Sequence, residues 1–600
     1  MRSALISLAA LITLGGIAAL AVLALDGTQH PIADSKSSQV LTSQWEEYQA
    51  DVPKTIIELQ PFRRTESVEF QMSGDWGEAA LINLNPRINA WFLLRLWWPG
   101  APNSLSYHLE NPLPKAQTLT LSEAHPYGIR ISAGGRDVDC ELWPAGRTSM
   151  LQEAQRSELP YAPLCEDRLY LRNRVSGTYT HLERITNFLR DHVWGGEQIV
   201  GFVKRQFFSD AFIERNEAGA APRPPEASVP SQTGPRPAPI VAAFAAQSVV
   251  PEHLGIDIGQ GSGSVSMGNW YLVRNAPGMF LSVIQPQAIA APSSRGDKSI
   301  VSGIDSVEAA ALDYMVALDL AQFDLGFVLG TDHPRVGWSE RALESARDSR
   351  LPGPDGIGSV APLVVNGMVS PPIVERAAAT FAGGFKREHG AFRYGALAQQ
   401  NHGTHYGFVE QGVVFSKLQP GLATLIVDDE GAVRMKTWTA DDESSLPYIK
   451  DARQNGVPLI EYDEKRGVSS PGALVDSWGP GNWSGSSEEH LRTLRAGACL
   501  QETGSARFLI YGYFSTATPR AMARVFQAYG CRYAMHLDMN ALEHTYFAAY
   551  IHMNGRIVVE HLIEGMAEVD RKGGEELAPR FLAFPDDRDF FYLARKNDGR

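Results

Sequence analysis

A stretch rich in proline and alanine divides the 600-residue chain and limits how it can fold. Between Asn216 and Val250 the sequence has seven prolines and nine alanines. Such a segment has few large apolar side chains for a packed core, and its clustered prolines make it a semi-rigid spacer. The sequence therefore predicts a linker over residues 214–250, between regions at 51–213 and 251–600 that fold separately.

The charge balance excludes one class of function. The chain has 54 Lys and Arg against 68 Asp and Glu, a formal net charge of -14, and it contains no block of basic residues. A protein that binds nucleic acid needs a concentrated basic surface for the phosphates. We therefore expect no nucleic-acid partner. The hydrophobic fraction of 44% is that of a globular chain and not of a disordered one.

The first residues predict attachment to a membrane. After Arg2 the chain has no charge from Ser3 to Leu25. A helix of that length rises about 33 Å, and the hydrocarbon core of a bilayer is about 30 Å thick. A cleaved signal peptide is the alternative, with a cleavage site at Ala19-Leu20-Ala21. The sequence predicts a signal anchor or signal peptide over 1–25, a polar stalk over 26–50, and a single-pass membrane protein whose domains lie outside the cytoplasm, in the periplasm or the extracellular space.

Export makes the four cysteines candidates for disulfide bonds. Cys140 with Cys165 and Cys499 with Cys531 are the pairs that lie close in the sequence. Four cysteines allow three connectivities, and buried free thiols are a further alternative.

The region at 51–213 predicts a mainly β domain that ends in helices. Short aromatic or β-branched runs such as "AWFLLRLWW" alternate with Pro, Gly and Asn, and "HLERITNFLRDHVW" then has helical spacing. Trp91, Trp97 and Trp98 raise the possibility of sugar binding. Because neighbouring residues of a strand face opposite ways, at least one of Trp97 and Trp98 is expected to pack inside, so a role in the core is the alternative.

The region at 251–600 predicts a mixed α/β domain, a mixed sheet with helices. A helix is predicted from Asp305 through "DSVEAAALDYMVALDL", a buried strand at "LGFVLG", a hairpin at "ATLIVDDEGAVRMKTW", and a helix in "TPRAMARVFQAYGC" with Thr518 as its cap. The order of strand, helix and strand along the chain is typical of α/β domains.

Polar residues crowd into one predicted strand of this region. From Arg532 to Asn540 the residues alternate between an apolar face of Met535, Leu537 and Met539 and a polar face of His536, Asp538 and Asn540. Strand ends in α/β sheets commonly open into ligand crevices, so this face is a candidate site. An ordinary solvated strand face is the alternative.

A second stretch gives this strand a possible partner. Gly383 and Gly384 are adjacent, which allows unusual backbone angles or close approach of a ligand, and Lys386 follows. "TFAGGF", then "LATLIVDDEGAVRMKTW", then Arg495 with "AGACLQETG", then "YAMHLDMNALEHTYF" resembles the phosphodiester glycosidase domain family, over roughly Pro362 to Ile563.

The resemblance implies both a reaction and departures from it. Gly383, Gly384 and Phe385 match the first family motif, Arg495 and Gly497 the second, and Leu537 and Asp538 the third. The departures are Ala382 for an asparagine, Met539, Asn540 and Ala541 for glycines, and Leu542 near the expected serine. The family similarity implies hydrolysis of a sugar phosphodiester, and the departures leave the fold better supported than the activity.

Chemistry assigns roles to the candidate residues. Cleavage at an anomeric carbon uses carboxylates, here Asp538 and Glu543, and His544 is a candidate proton carrier. Lys386 and Arg495 are expected to bind the phosphate. The predicted substrate-binding residues are Gly383, Gly384, Lys386, Arg495, Asn540 and His536.

A metal is the alternative use of the same polar cluster. His536, Asp538, Glu543 and His544 are acceptable ligands, and His402 and His405 stand three apart. Neither spacing matches a zinc or calcium motif, so we predict no cofactor.

Two classes of function remain. One is a membrane-anchored hydrolase of a glycosyl phosphodiester or a related cell-envelope glycan linkage, whose partners are that carbohydrate substrate and the membrane. The other is a catalytically inactive module that binds envelope glycan or protein.

Overall fold

The structure, a computed structural model, describes most of the chain from residue 55 onward. The described residues are 55–72, 74–99, 104–144, 149–178, 234–259, 264–290, 303–339, 342, 344, 347–390, 405–476, 492–573 and 576–597. The predicted anchor, the stalk and the helix predicted at 181–194 lie outside them. Within the described part of the chain, no helix has both the length and the apolar character needed to cross a membrane.

Antiparallel β-sheets dominate both regions, so the predicted α/β class is wrong. The longest α-helix among the described residues has ten residues, Pro519–Ala528. Sheets of α/β proteins are mostly parallel, because a helix crosses over between successive strands. Here the ladders that join the strands run antiparallel, and short turns or loops replace the crossover helices.

The N-terminal region forms two sheets. Its strands are β1 (Arg64–Met72), β2 (Asp75–Asn83), β3 (Trp91–Trp97), β4 (Leu105–Glu110), β5 (Gln117–Thr120), β6 (Gly128–Ala133), β7 (Arg136–Glu141), β8 (Tyr161–Leu164) and β9 (Leu169–Arg172). The larger sheet has the order β1-β2-β3-β4-β9-β8 and the smaller β5-β6-β7. Helix α1 (Met150–Arg156) begins at Ser149, whose hydroxyl accepts a hydrogen bond from the Gln152 amide.

The C-terminal region holds the remaining strands. They are β10 (Ser248–Val249), β11 (Val265–Ser266), β12 (Tyr271–Leu272), β13 (Met279–Ile284), β14 (Asp313–Asp319), β15 (Phe323–Val328), β16 (Ala377–Ala382), β17 (Phe408–Glu410), β18 (Val413–Ser416), β19 (Ala423–Asp428), β20 (Val433–Thr437), β21 (Ile449–Gln454), β22 (Pro458–Asp463), β23 (Val468–Pro471), β24 (Thr493–Thr503), β25 (Ala506–Ala517), β26 (Cys531–Met539), β27 (Phe547–Met553), β28 (Arg556–His561), β29 (Arg571–Gly573), β30 (Glu576–Ala578) and β31 (Phe590–Arg595).

Three sheets carry most of these strands. Their orders are β12-β13-β14-β25-β24-β26-β22-β23, β15-β31-β16-β27-β28 and β18-β17-β21-β19-β20. The short helices are α2 (Ala242–Ala245), α3 (Ser306–Ala310), α4 (Pro371–Val374) and α5 (Pro519–Ala528), and the 3-10 segments are Pro286–Ala288, Arg387–Gly390, Ala440–Tyr448 and Glu564–Val569. Aromatic and aliphatic side chains between the sheets form the core.

The helix predicted from Asp305 is mostly wrong. Asp305 and Glu308 form a capping box at its predicted start, but the helix ends at Ala310. The following residues form β14, which pairs with β13 on one side and β25 on the other. A fully buried apolar run has no periodicity that distinguishes a strand from a helix. Here pairing with two neighbouring strands makes the run a strand.

Other local predictions are confirmed. The hairpin forms from β19 and β20, and the strand predicted at "LGFVLG" lies within and just after β15. Helix α5 begins at Pro519 after the Thr518 cap. Gly530, which follows it, has a φ of +68°, a conformation that favours glycine at a helix end.

The two regions share one core, which argues against separate folding. Ile82, Trp91 and Leu93 of the N-terminal region belong to the same buried cluster as the C-terminal strands. Gln60 Nε2 donates to Val414 O at 2.7 Å, and His108 Nδ1 accepts from Val364 N at 2.9 Å. The boundaries of the two regions stay a prediction.

The last part of the predicted linker is packed. Val249 lies in β10, which pairs with β11, and Ala238 is buried. The amide of Arg236 donates to Gln501 Oε1 at 2.7 Å, and the indole of Trp270 donates to Arg236 O at 2.8 Å. Residues 234–250 therefore belong to the C-terminal region.

The structure pairs the cysteines as their sequence proximity indicated. Cys140 bonds Cys165, and Cys499 bonds Cys531. The second disulfide joins β24 to β26, which are also adjacent in the sheet.

Candidate functional site

Four segments that are distant in sequence converge after the end of β16. The turn Gly383–Phe385 follows β16, and its Gly383 amide donates to Asp589 O at 2.8 Å just before β31 begins. The Phe385 amide donates to Asn455 Oδ1 at 3.0 Å, just after β21. Asn455 in turn reaches the end of β26. The predicted glycine turn and the predicted polar strand therefore do meet.

The two glycines are required by protein side chains that pack against the turn. A Cβ on Gly383 would lie 2.6 Å from Asp589 Oδ2. Gly384 has a φ of +145°, and a Cβ there would lie 2.7 Å from Arg453 Nη1. Both distances are too short for a real contact, so any residue with a side chain would displace Arg453 or Asp589. The close approach that the tandem glycines permit is therefore made by the side chains of Arg453 and Asp589.

Asn455 is the hub of this arrangement. Its Nδ2 donates to His536 O at 2.6 Å and to Leu537 O at 2.8 Å. Its Oδ1 accepts from Phe385 N and from Arg453 Nη1. An asparagine amide has two donor hydrogens and two acceptor lone pairs, so all four are used.

A β-bulge explains why β26 exposes two carbonyls to Asn455. Gly497 of β24 faces His536, while Arg495, two residues earlier, faces Met539, three residues later. β26 therefore carries one extra residue at Leu537 and Asp538, and this breaks the simple alternation predicted for the strand. Bulges re-aim side chains and are common next to active sites.

Asp538 lies at this bulge, and both oxygens of its side chain accept hydrogen bonds. Its Oδ1 accepts the amide of Met539 at 2.8 Å, and its Oδ2 accepts Arg588 Nη1 at 2.7 Å. The residue is 5% exposed. A charge-assisted hydrogen bond to a guanidinium is strong and fixes the orientation of the carboxylate.

Glu543 and His544 lie in the loop after β26 and are more accessible. His544 Nδ1 donates to Met539 O at 2.9 Å, which leaves Nε2 3.6 Å from Glu543 Oε1. The side chains of His544 and Glu543 are 13% and 12% exposed. Asp538 and His544 both hydrogen-bond the backbone of Met539, which ties the loop to the bulged end of β26.

Asn540 keeps a backbone conformation that glycine normally supplies. Its φ is +80°, and asparagine is among the residues that tolerate this region best. Its amide donates to Leu494 O at 2.8 Å, and its Oδ1 accepts the Thr493 hydroxyl at 3.1 Å. The side chain is thereby fixed against β24.

Lys386 is buried and paired with a carboxylate of the protein. Its Nζ lies 3.1 Å from Asp332 Oδ2, and the lysine is 3% exposed. Burial alone would raise the pKa of Asp332, but the charge of Lys386, with those of His333 and Arg335, lowers it below its ordinary value. Asp332 is therefore a charged partner of Lys386.

Arg495 and His536 lie together beneath the surface. Arg495 Nη1 is 3.2 Å from His536 Nε2 and 3.4 Å from Met539 Sδ, and its Nε donates to Ala517 O. Burial lowers the pKa of Arg495 to about 9. Burial, and then the charge of Arg495, hold the pKa of His536 well below its usual range, so the imidazole is neutral. Both residues are fully buried, and their roles as substrate ligands stay predictions.

The sequence reasoning missed the residues that complete the site. Arg453 donates to Asp589 Oδ2 at 2.7 Å and to Phe385 O at 2.7 Å. His333 Nδ1 lies 2.9 Å from Asp589 Oδ1. Burial would raise the pKa of Asp589, but Arg453 and His333 lower it below the ordinary range.

One signal for this part of the site was present in the sequence. The run Asp586-Asp587-Arg588-Asp589 directly precedes the apolar strand β31. Four consecutive charged residues at the start of a buried strand are costly unless they are paired. Asp586 accepts two hydrogen bonds from Arg580, at 2.7 and 2.9 Å, and Arg580 also donates to Glu543 O.

The metal interpretation finds no ligand set here. Among the described residues, no three His, Cys, Asp or Glu side chains are arranged to hold a metal ion. His405 Nε2 lies 3.2 Å from Asp355 Oδ1, and His402 lies outside the described residues.

Comparison with known proteins gives only a faint likeness. No protein family model matches the chain, and no curated protein matches it. Among solved structures, the catalytic domain of zebrafish N-acetylglucosamine-1-phosphodiester alpha-N-acetylglucosaminidase, auto-inhibited by its pro-peptide, is similar with 10% identity and a TM-score of 0.28, over 65% of this chain and 98% of that one. A Burkholderia pseudomallei protein assigned as exported is similar with 11% identity and a TM-score of 0.19, over 47% of this chain and 74% of that one. The structural resemblance to a phosphodiester glycosidase domain is therefore weak.

Proposed function

We propose that the protein is an exported, membrane-anchored hydrolase of a glycosyl phosphodiester or a related cell-envelope glycan linkage. The observation that carries the proposal is the grouping of Asp538, Glu543 and His544 at the bulged end of β26. Two carboxylates serve cleavage at an anomeric carbon, and an imidazole can carry the proton. The membrane attachment and the export rest on the sequence of residues 1–25.

The proposed reaction divides the work among these residues. Water attacks the anomeric carbon, the bond from that carbon to the phosphate oxygen breaks, and the electron pair leaves with the phosphate. Asp538, oriented by its hydrogen bond from Arg588, stabilises the positive charge that develops on the sugar or directs the water. The Glu543 and His544 pair takes up the proton that the attacking water releases. Lys386, which follows the glycine turn in the sequence, is the cation assigned to the phosphate.

The first test is substitution of Asp538. Asp538→Asn keeps the shape of the side chain and removes its charge, so release of free sugar from a panel of glycosyl phosphodiesters should fall by about 10²–10⁴-fold. Glu543→Gln is the second variant, because Arg580 donates to the backbone oxygen of Glu543 and the substitution leaves that bond in place. Asp139→Asn, which removes a carboxylate from the Arg130 pair in the N-terminal region, is the matched control.

Thermal melting of each variant separates loss of fold from loss of chemistry. Turnover by Asp538→Asn equal to that of the unaltered protein, with the same melting temperature, would show that Asp538 has no catalytic role.

A second function has one observation in its favour. Lys386 and Arg588 are both paired with carboxylates of the protein, and Arg495 is fully buried. A site whose cations are already neutralised is typical of a structural core or of a module that binds without catalysis. Absence of turnover by the unaltered protein, together with retained binding of an envelope glycan, would select the catalytically inactive binding module.

A further inference from the structure

Two tryptophans stand exposed on one face of the N-terminal sheet. In the ladder between β2 and β3, Trp97 lies opposite Glu78. Trp76 is two residues from Glu78 on β2, so it points to the same face as Trp97 and is its diagonal neighbour. Trp76 is 60% exposed and Trp97 is 51% exposed.

The other tryptophans of this sheet show what an indole does when it serves the core. Trp91, on the same strand as Trp97, is buried, and its indole nitrogen faces Glu110 Oε2 at 3.3 Å. Trp98 packs on the opposite face against Phe70, with ring centroids 6.3 Å apart. The core of the sheet is complete without Trp76 and Trp97. Exposed aromatic groups that no core requires often mark binding surfaces.

Polar side chains surround the two exposed rings. On β1, Gln71 lies opposite Trp76 and Glu69 lies opposite Glu78, and all three polar residues are exposed. Amide and carboxylate oxygens accept hydrogen bonds from hydroxyl groups. The face therefore offers flat apolar rings and hydrogen-bond acceptors side by side. A sugar has the complementary groups, which are an apolar ring face that stacks on the aromatic rings and hydroxyl groups that donate to the acceptors.

The charges on this face select among possible occupants. Glu69 and Glu78 place two carboxylates beside the rings, and Arg95 on β3 is a basic residue of the same face. A net negative face repels an anionic lipid surface or an anionic polysaccharide. The occupant that fits is a neutral glycan.

The same face continues into the contact between the two regions. Ile82 on β2 and Leu93 on β3 point to the side that carries Trp76 and Trp97, and they are buried in the core shared with the C-terminal region. A chain lying across the rings along these strands is thus directed toward the C-terminal region. This continuity argues for an elongated ligand.

We propose that Trp76 and Trp97 form a stacking platform for a neutral oligosaccharide, with Glu69, Gln71 and Glu78 as its hydrogen-bonding rim. The platform binds sugar whether or not the C-terminal region is a hydrolase, so its test is independent of the proposed reaction.

The test is calorimetric and fluorescence titration of the full chain with cellohexaose and chitohexaose. We expect binding with a Kd below about 1 mM, quenching of tryptophan emission, and a loss of about tenfold or more in affinity for the double variant Trp76→Ala with Trp97→Ala. Leu113→Ala, an equally exposed apolar residue of the same region, is the matched control and should bind as the unaltered protein does.

Two further arms keep the outcome decisive. The melting temperature of the double variant should be unchanged, because neither ring serves the core. No binding of either hexasaccharide by the unaltered protein, or equal binding by the double variant, would overturn the proposal. Preferential binding to vesicles containing anionic lipid, lost in the same double variant, would assign the platform to a membrane surface and would also overturn it.

Discussion

The exposed face of the N-terminal sheet and the polar site of the C-terminal region differ in whether their side chains have partners within the protein. On the sheet face, Trp76 and Trp97 leave large apolar rings in water without any partner in the core. In the polar site, Arg453, Asn455 and Asp589 are fully buried and satisfy one another. The exposed rings are available to an outside molecule, whereas the hydrogen bonds of the polar site are made within the protein. A polar cluster is therefore judged by which of its groups remain accessible, here Glu543 and His544.

The largest effect is expected from breaking the buried pair of Arg453 and Asp589. Arg453→Met removes the guanidinium donor from a buried carboxylate and from the Phe385 carbonyl, and it removes one of the two donors of Asn455 Oδ1. Breaking such a pair costs about 3–5 kcal/mol of the free energy of unfolding, measured by urea denaturation. Arg130→Met removes the same kind of contact from the exposed pair with Asp139 and should change stability little. Equal losses in the two variants would show that the buried network is not special.

A smaller effect is expected at the glycine turn. Gly384→Ala places a Cβ against Arg453 at a φ of +145°, so we expect a loss of about 2–3 kcal/mol in the free energy of unfolding. Gly431→Ala is the matched control, because its φ is +89° but a Cβ there meets nothing within 4 Å. It should cost about 1 kcal/mol, the strain of the backbone alone. If the two variants melt alike, packing against Arg453 does not explain the glycine.

The remaining effect, small at any one pH step, is a pH dependence at the contact between the two regions. Burial raises the pKa of Glu410 from its ordinary value of 4.5 to about 8, against the charge of Arg172. The folded protein then holds a proton that the unfolded chain releases, so this contribution is fully present below about pH 4.5 and is lost as the pH rises toward 8. Glu410→Gln should reduce the slope with which the unfolding free energy falls with pH in that window, by about 1 kcal/mol per pH unit or less.

The check is denaturation of the two proteins at several pH values between 5 and 8. Parallel curves would mean that Glu410 is charged in the folded protein. Asp451, whose pKa burial also raises, stays in both proteins and cancels in the comparison.

Local signals in the sequence were informative where one segment decides its own structure. The Thr518 cap, Pro519 and Gly530 specify α5, and the turn at Gly431 specifies the hairpin of β19 and β20. The capping box at Asp305 formed as well, yet the residues from Asp313 became a strand because β13 and β25 lie on either side. The fold class failed for that reason, since pairing between distant strands leaves no mark on a single apolar run.

The candidate site was visible only in part. Asp538, Glu543 and His544 are close in sequence, and in the structure Asp538 and His544 both hydrogen-bond Met539. The residues that support the site are far in sequence from their partners. Asn455 hydrogen-bonds a residue 70 positions away, and Arg453 bonds one 136 positions away. The bulge in β26 is likewise set by the register with β24, which no local pattern encodes.

The core shared by the two regions has a consequence for the intact molecule. Gln60, His108 and Arg172 all reach across to the C-terminal region, as do apolar side chains of β2 and β3. A protease that cut the chain between residues 179 and 233 would release no fragment, because the two pieces would stay bound as a noncovalent pair. Such a nicked protein would run as two bands in denaturing gels and as one species in solution.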